Sequence, residues 1–248
     1  MQRTIIGVEF SASPGRVCCA QGSFADGRTA VTEIEECSGG EDTAAVVAEW
    51  IRSSPHRALI ALDAPLGWPA ALGTMMSEHR AGQALEGRPE ELFRRRTDHF
   101  VGALMGEHPL GVGVDRIAAY AALAFLEDLR TSSESAIPLA WSRDADAAAA
   151  IEVFPAATLK AHRVDARGYR SAAETDLRFN LVVALRDRIR LPGDVGMLVG
   201  DPDVLDAAVC VLAAHDFLVG SACEPEEDGL ARTEGWIWVR DPDARHAA

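Results

Sequence analysis

No stretch of this sequence approaches the eighteen or more consecutive apolar residues that a membrane-spanning helix needs, so no membrane insertion is expected. The opening MQRTIIGVEF has no apolar stretch behind a basic region, and its short apolar run reads as a strand, so no export is expected either. Cysteine is scarce. Cys18, Cys19, Cys37, Cys210 and Cys223 make an odd count without a C-x-x-C pair, and none of the seven scattered histidines pairs with a cysteine at zinc spacing. These thiols read as small buried apolar residues in a reducing compartment, and a cytoplasmic location is expected.

Positive charge is also in short supply. Lysine and arginine total 24 against 38 aspartates and glutamates, a formal net charge of −14, and the one basic tract is Arg94-Arg95-Arg96. Proteins that grip long nucleic acid usually carry a basic face that releases counterions from the phosphates. Strong nonspecific duplex binding is therefore not expected. A nucleic-acid or small phosphoester substrate at a metal-dependent site stays open, as does the oligomeric state.

What is present is an alternation of strand and helix patterns. TIIGVEF, VCCAQGSF and TAVTEIEE read as three strands in close succession, the last two joined by the Asp26-Gly27 turn. EDTAAVVAEWIRSS carries a helical stripe through Val46, Val47, Trp50 and Ile51. ALIALDAP is an apolar run stopped by Pro65, which suits a buried parallel strand. Residues 68–148 read as an Ala-rich helical insertion. AIEVFP follows as another buried strand, then helices over 155–162 and 171–190, a helix in DVLDAAVCVLAAHDFLVG, and a late strand in EGWIWV. The spacing predicts one α/β domain over 1–240 and a disordered tail over 241–248. Three antiparallel strands, a helix and then parallel strands is the order of a ribonuclease H-like mixed sheet flanked by helices, although connection rules alone admit other α/β arrangements.

Acidic residues interrupt the apolar strands. Glu9 falls at the end of the first strand, Asp63 at the end of the fourth and Glu152 in the later one, while Asp203 and Asp206 share one face at the start of the late helix. Carboxylates are rarely buried without compensation, and hard oxygen ligands select Mg²⁺ or Mn²⁺. Open α/β sheets place their sites beyond the C-terminal ends of parallel strands. The reading is a metal-holding set of Glu9, Asp63, Asp203 and Asp206, with Glu9, Asp63, Glu152 and Asp206 as the catalytic acids. Taken alone, Asp203 also reads as a helix cap, and Glu9 or Asp63 as a turn acceptor. Arg95, Arg96 and Asp98 in FRRRTDHF are candidates for substrate binding at the mouth, against an ordinary solvated helix face.

The ordered motifs GVEFSAS, LDAPLGWP, FRRRTDHFV, IEVFPAATLKAH, GYR, DPDVLDAAVCVLAAHDF and EGWIWV resemble the domain-of-unknown-function 429 family through most of the chain. Members of that family are described as predicted nucleases of ribonuclease H-like fold. The resemblance implies Glu9, Asp63, Glu152 and Asp206 as the acidic cluster, with Glu9 where the family usually places aspartate. The expected function is a metal-dependent phosphodiester hydrolase. The alternatives are another phosphoryl-handling activity on the same fold and a non-catalytic nucleotide- or protein-binding scaffold with a residual acidic pocket.

Overall fold

The computed structural model describes residues 2–11, 15–111, 113–114, 116–145, 147–171 and 173–244. Strands β1 (Gln2–Phe10), β2 (Arg16–Ala25) and β3 (Arg28–Ser38) lead into helix α1 (Gly40–Ser53) and strand β4 (Ala58–Asp63). Helices α2 (Ala70–Glu78), α3 (Pro89–Phe93), α4 (Arg96–Met105) and α5 (Arg116–Ser133) fill the insertion before strand β5 (Ala149–Glu152). Helices α6 (Pro155–Ala161), α7 (Thr175–Leu185), α8 (Gly196–Gly200), α9 (Pro202–Leu218) and α10 (Asp228–Glu234) follow. The sheet order is β3-β2-β1-β4-β5. The β1–β2 and β2–β3 pairs are antiparallel, and the β1–β4 and β4–β5 pairs are parallel.

The hairpin between β2 and β3 turns through Asp26 (φ 52°) and Gly27 (φ 74°). Both are left-handed, the backbone that matches the twist of two paired strands. Central β1 is buried on both faces, which accounts for its unbroken apolar run. One face packs a core of Ile5, Leu59, Ala61 and Ile151 against α7 and α9. The other packs Ile6, Val8, Ile60 and Leu62 against α1 and α5. Adjacent strand residues point to opposite faces, so Cys18 joins the first core and Cys19 the second. All five cysteines are free thiols.

Helix α9 is apolar almost all round, as a helix buried inside a domain must be. It lies on β1 at Gly7, where a Cβ would fall 2.1 Å from the Ala207 carbonyl oxygen and 2.9 Å from Cys210 Cβ. Its N-terminus is capped by Asp201, whose side chain accepts the Asp203 amide at 2.8 Å, so the capping role open to Asp203 belongs to Asp201. Val204, Val209, Val211 and Leu212 are fully buried.

Three expectations change. EGWIWV is not a strand. It touches the sheet through one bridge, Glu152 to Ile237, and the Ile237 amide donates to Thr97 Oγ1 at 2.8 Å instead of to a strand neighbour. Trp236, Ile237, Trp238 and Val239 are all buried, so the segment has no solvent side to alternate with. Next, the helix expected over 171–190 stops at Leu185 because the chain leaves to join β3: Arg190 donates to the Thr29 carbonyl at 2.9 Å, and Val31 donates to the Arg190 carbonyl at 2.8 Å. Last, of the tail, residues 241–244 form a turn anchored by the Asp241 amide on the Ser221 carbonyl, and 245–248 lie outside the described residues. No helix among the described residues is long and apolar enough to cross a membrane.

Gly7→Ala tests the α9 contact. A side chain driven into helix backbone cannot be relieved by a rotamer change, so the variant is expected to lose about 1–3 kcal/mol of stability, measured by urea unfolding. An unchanged midpoint would show that α9 rides further from β1.

Candidate functional site

The parallel register pairs Glu9 with Asp63 across β1 and β4. Alternation puts both side chains on the α9 face, in line with Ile5 and Gly7 on one strand and Leu59 and Ala61 on the other. Because Gly7 admits α9, the first turns of that helix bring Asp203 and Asp206 to the same place. Glu9 is 2 % exposed and Asp206 fully buried, while Asp63 is partly exposed. The Asp63 carboxyl lies beside that of Glu9 and raises its pKa.

One cation of the chain is inserted into this group. Arg170 Nη2 lies 3.0 Å from Glu9 Oε1 and 3.0 Å from Asp203 Oδ1, and its Nη1 lies 2.7 Å from Asp206 Oδ2. Its side chain stays about half exposed, at 47 %. The loop that carries it is gripped by fully buried Arg178, which donates to the Tyr169 and Ser171 carbonyls at 2.7 Å each. Tyr169 donates its hydroxyl to Asp206 Oδ1. Asp203 also accepts from Ser11 Oγ and Arg16 Nη1, while Arg16 Nη2 pairs with Asp201 and Glu36. Ala12–Pro14, in the loop after β1, lie outside the described residues.

Two buried oxygens have no hydrogen bond among the described residues. Glu9 Oε2 receives none, and Asp206 Oδ2 is within ion-pair distance of Arg170 at an angle that makes no hydrogen bond. Burial pushes the Glu9 carboxyl well above its usual range, and the neighbouring Asp63 and Asp206 push it further. Burial likewise pushes Asp206 up to about 7, against the pull of Arg170 and Tyr169. In donor chemistry this fits a hard divalent cation: oxygen ligands in an enclosed place, Glu9 Oε2 among them without a partner among the described residues. In position, no group of three or more acidic, His or Cys side chains among the described residues is gathered for a metal, and the Arg170 guanidinium lies between the carboxylates.

Glu152 is not brought to this group. It follows Ile151, so its side chain projects from the opposite face of β5 to the Glu9 and Asp63 side chains. There it is bound by Arg95, with Nη1 at 2.8 Å from Oε2 and Nη2 at 2.6 Å from Oε1, and by the Leu66 amide at 3.0 Å. Arg95 is 1 % exposed and also binds Asp98, itself fully buried. This ion triad ties α4 to β5, and neither Arg95 nor Asp98 stands at a mouth open to substrate. Arg96 is exposed and pairs with Glu226 at 3.7 Å. Arg170, Tyr169, Arg178, Ser11 and Arg16 are the residues that local pattern does not single out. The resembling motifs GYR and GVEFSAS contain three of them without indicating a role.

A cleft of about 660 Å³ adjoins the group and is lined by Lys160, Arg163, Arg167, Tyr169 and Arg170. Lys160 pairs with Glu107 and Arg167 with Asp165.

A family model described as a protein of unknown function, DUF429, matches residues 4–229. No curated protein and no solved structure matches the chain.

The raised carboxyls make stability depend on pH. Asp206 ordinarily titrates near 3.8 and in the fold near 7, so between those values the folded state holds a proton that the unfolded chain has lost. That contribution to stability is greatest at the acidic end and falls as pH rises through the window, levelling above about 7. In chelator, the melting temperature of wild type relative to Asp206→Asn is expected to drop as pH is raised from 5 to 7.5. A difference that does not change with pH would show that Asp206 titrates normally.

Proposed function

The chain belongs to the DUF429 family, and from that premise we propose that it is a divalent-metal-dependent phosphodiester hydrolase on a ribonuclease H-like fold. The fold reading is supported by the sheet order β3-β2-β1-β4-β5, with the first three strands antiparallel and the last pairs parallel. The functional reading is carried by one observation: Glu9, Asp63 and Asp206, from two adjacent parallel strands and the helix across them, are neighbours, and Glu9 Oε2 is buried without a hydrogen bond among the described residues. Glu9, Asp63 and Asp206 would hold Mg²⁺ or Mn²⁺, with Asp203 completing the set. A bound ion of this kind supplies an activated water and neutralises charge on the leaving oxygen.

The chain's own residues do the rest. The carboxylates repel one another until a cation neutralises them, which couples metal binding to stability. Arg170 holds that place with its guanidinium, and its half-exposed side chain can turn from the carboxylates to a substrate phosphate. Arg178 keeps its backbone fixed meanwhile. Arg163 lines the adjoining cleft beside the paired Lys160 and Arg167, a position from which it could contact an anionic backbone. Glu152, Arg95 and Asp98 act as a strut beneath the site.

A second reading, a non-catalytic binding scaffold, is favoured by Arg170 itself, since the guanidinium already neutralises the acids, and by the longer Glu9. The two readings separate in paired measurements on wild type and Asp63→Asn. The first is melting temperature against Mg²⁺ and Mn²⁺, and the second is hydrolysis of a model phosphodiester and of single-stranded and structured oligonucleotides. Metal is expected to raise the wild-type melting temperature, and Asp63→Asn to abolish that rise and lower hydrolysis on the order of 10²-fold or more. Metal binding without turnover, not recovered in Glu9→Asp, would favour the scaffold. No response to metal in either protein would sink the enzyme reading.

A further inference from the structure

At the far end of α9 the electrostatics reverse. A cleft of about 1070 Å³ opens beside the β2–β3 hairpin and is lined by Arg28, Arg186, Arg188 and Arg190, together with Asp216 and Arg240. His215 on its wall lies nine residues after Asp206 on α9, about 14 Å along the axis from the acidic group. In a chain with 38 acidic residues, arginines ordinarily find carboxylates, yet among the described residues none of these four makes an ion pair. Asp216 does not serve them, since it is held by His162 Nε2 at 2.7 Å and by Arg240 Nη1 at 3.1 Å. Asp26 and Asp187 are the other acids on the wall, and both are exposed.

The arginines are held in place. The segment after α7 is stapled to β3 by the two backbone hydrogen bonds of Arg190. Ile189 and Leu191 are buried, 2 % and 8 % exposed, whereas Arg186 and Arg190 are exposed and Arg188 is half-buried. Arg188 Nε is enclosed and has no acceptor among the described residues. A guanidinium keeps its charge at any physiological pH, and an enclosed N–H without an acceptor is the costly way to leave one. Arg28, Arg186 and Arg190, exposed and lining the cleft without an ion pair among the described residues, are open to an anion.

We propose that this cleft binds a polyphosphate-bearing small molecule of about nucleotide size. The guanidinium fork matches phosphate oxygens two at a time, and four arginines lining one cleft suit several linked phosphates better than a single carboxylate. The volume is that of a small-molecule pocket, too large for one inorganic ion. The site is separate from the acidic group and does not depend on the activity assigned to it.

The test is calorimetric titration with sodium tripolyphosphate in excess EDTA at constant ionic strength, with melting temperature followed in parallel. Saturable binding is expected in wild type. Affinity is expected to fall at least tenfold in the double variant Arg188→Ala, Arg190→Ala. Arg28→Ala with Arg186→Ala changes only exposed side chains and is expected to weaken binding in the same direction, which keeps the test decisive should the first variant not fold. Asp63→Asn is expected to bind as wild type does, separating this site from the acidic one. Absence of saturable binding, or undiminished binding in the double variants, would overturn the proposal. So would binding of a single-stranded oligonucleotide through these arginines with tripolyphosphate inert, because the cleft would then read a nucleic-acid backbone.

Discussion

A helix can touch the backbone of a strand only where the strand offers no side chain, and in this protein that place is Gly7. A methyl group there would lie 2.1 Å from a carbonyl of α9. Moving the helix out by the width of a side chain would open the core beneath Val204 and Val211 and withdraw Asp203 and Asp206 from Glu9. The packing of the larger core and the assembly of the acidic group are one contact seen from two sides. The glycine and the glutamate two residues later share a strand face, so the residue that admits the helix is next in line to the one the helix completes.

Gathering carboxylates in a desolvated place works against the fold, and the chain answers it differently on the two faces of the sheet. On the α4 side, Glu152 and Asp98 meet the buried Arg95 in a closed ion triad, an arrangement that resists loss of any one member because the others would be left charged and buried. On the α9 side the compensation is open. Arg170 reaches in from a loop with half its side chain in solvent, Glu9 and Asp63 raise one another's cost of ionisation, and two oxygens keep no hydrogen bond among the described residues. The first is closed and the second half open to solvent, although both are made from acids interrupting apolar strands.

That difference explains what could be read in the sequence. The strands of the meander, β4, β5, α1 and α9 were legible because apolar period and turn residues respond to burial, and Glu9, Asp63 and Asp206 were legible because each breaks such a pattern. Glu152 breaks one in the same way and yet faces the other side. Which face a strand residue takes depends on register, and register between β4 and β5 is set by tertiary contacts. Arg170 and Tyr169 lie in a loop without period, and their role comes from the grip of Arg178 on two carbonyls, a relation between distant segments. EGWIWV has the composition of a strand, but its amides are satisfied by Thr97 and by single bridges, a choice made by the surroundings and not by local preference.

The segment that leaves α7 to meet β3 has a consequence for how copies of this protein behave toward one another. An open sheet ends in rows of unsatisfied amides and carbonyls that can recruit a strand from another molecule. Here one margin is blocked near the hairpin by Arg190 and is lined further along by Glu33, Glu35 and Glu36. The opposite margin, β5, is four residues long and is bridged by Leu139 on one turn of chain and Ile237 on another. Neither side leaves a long, flat, uncharged template, so the sheet is protected from strand exchange and fibrillar growth by the same crossings that shape its clefts.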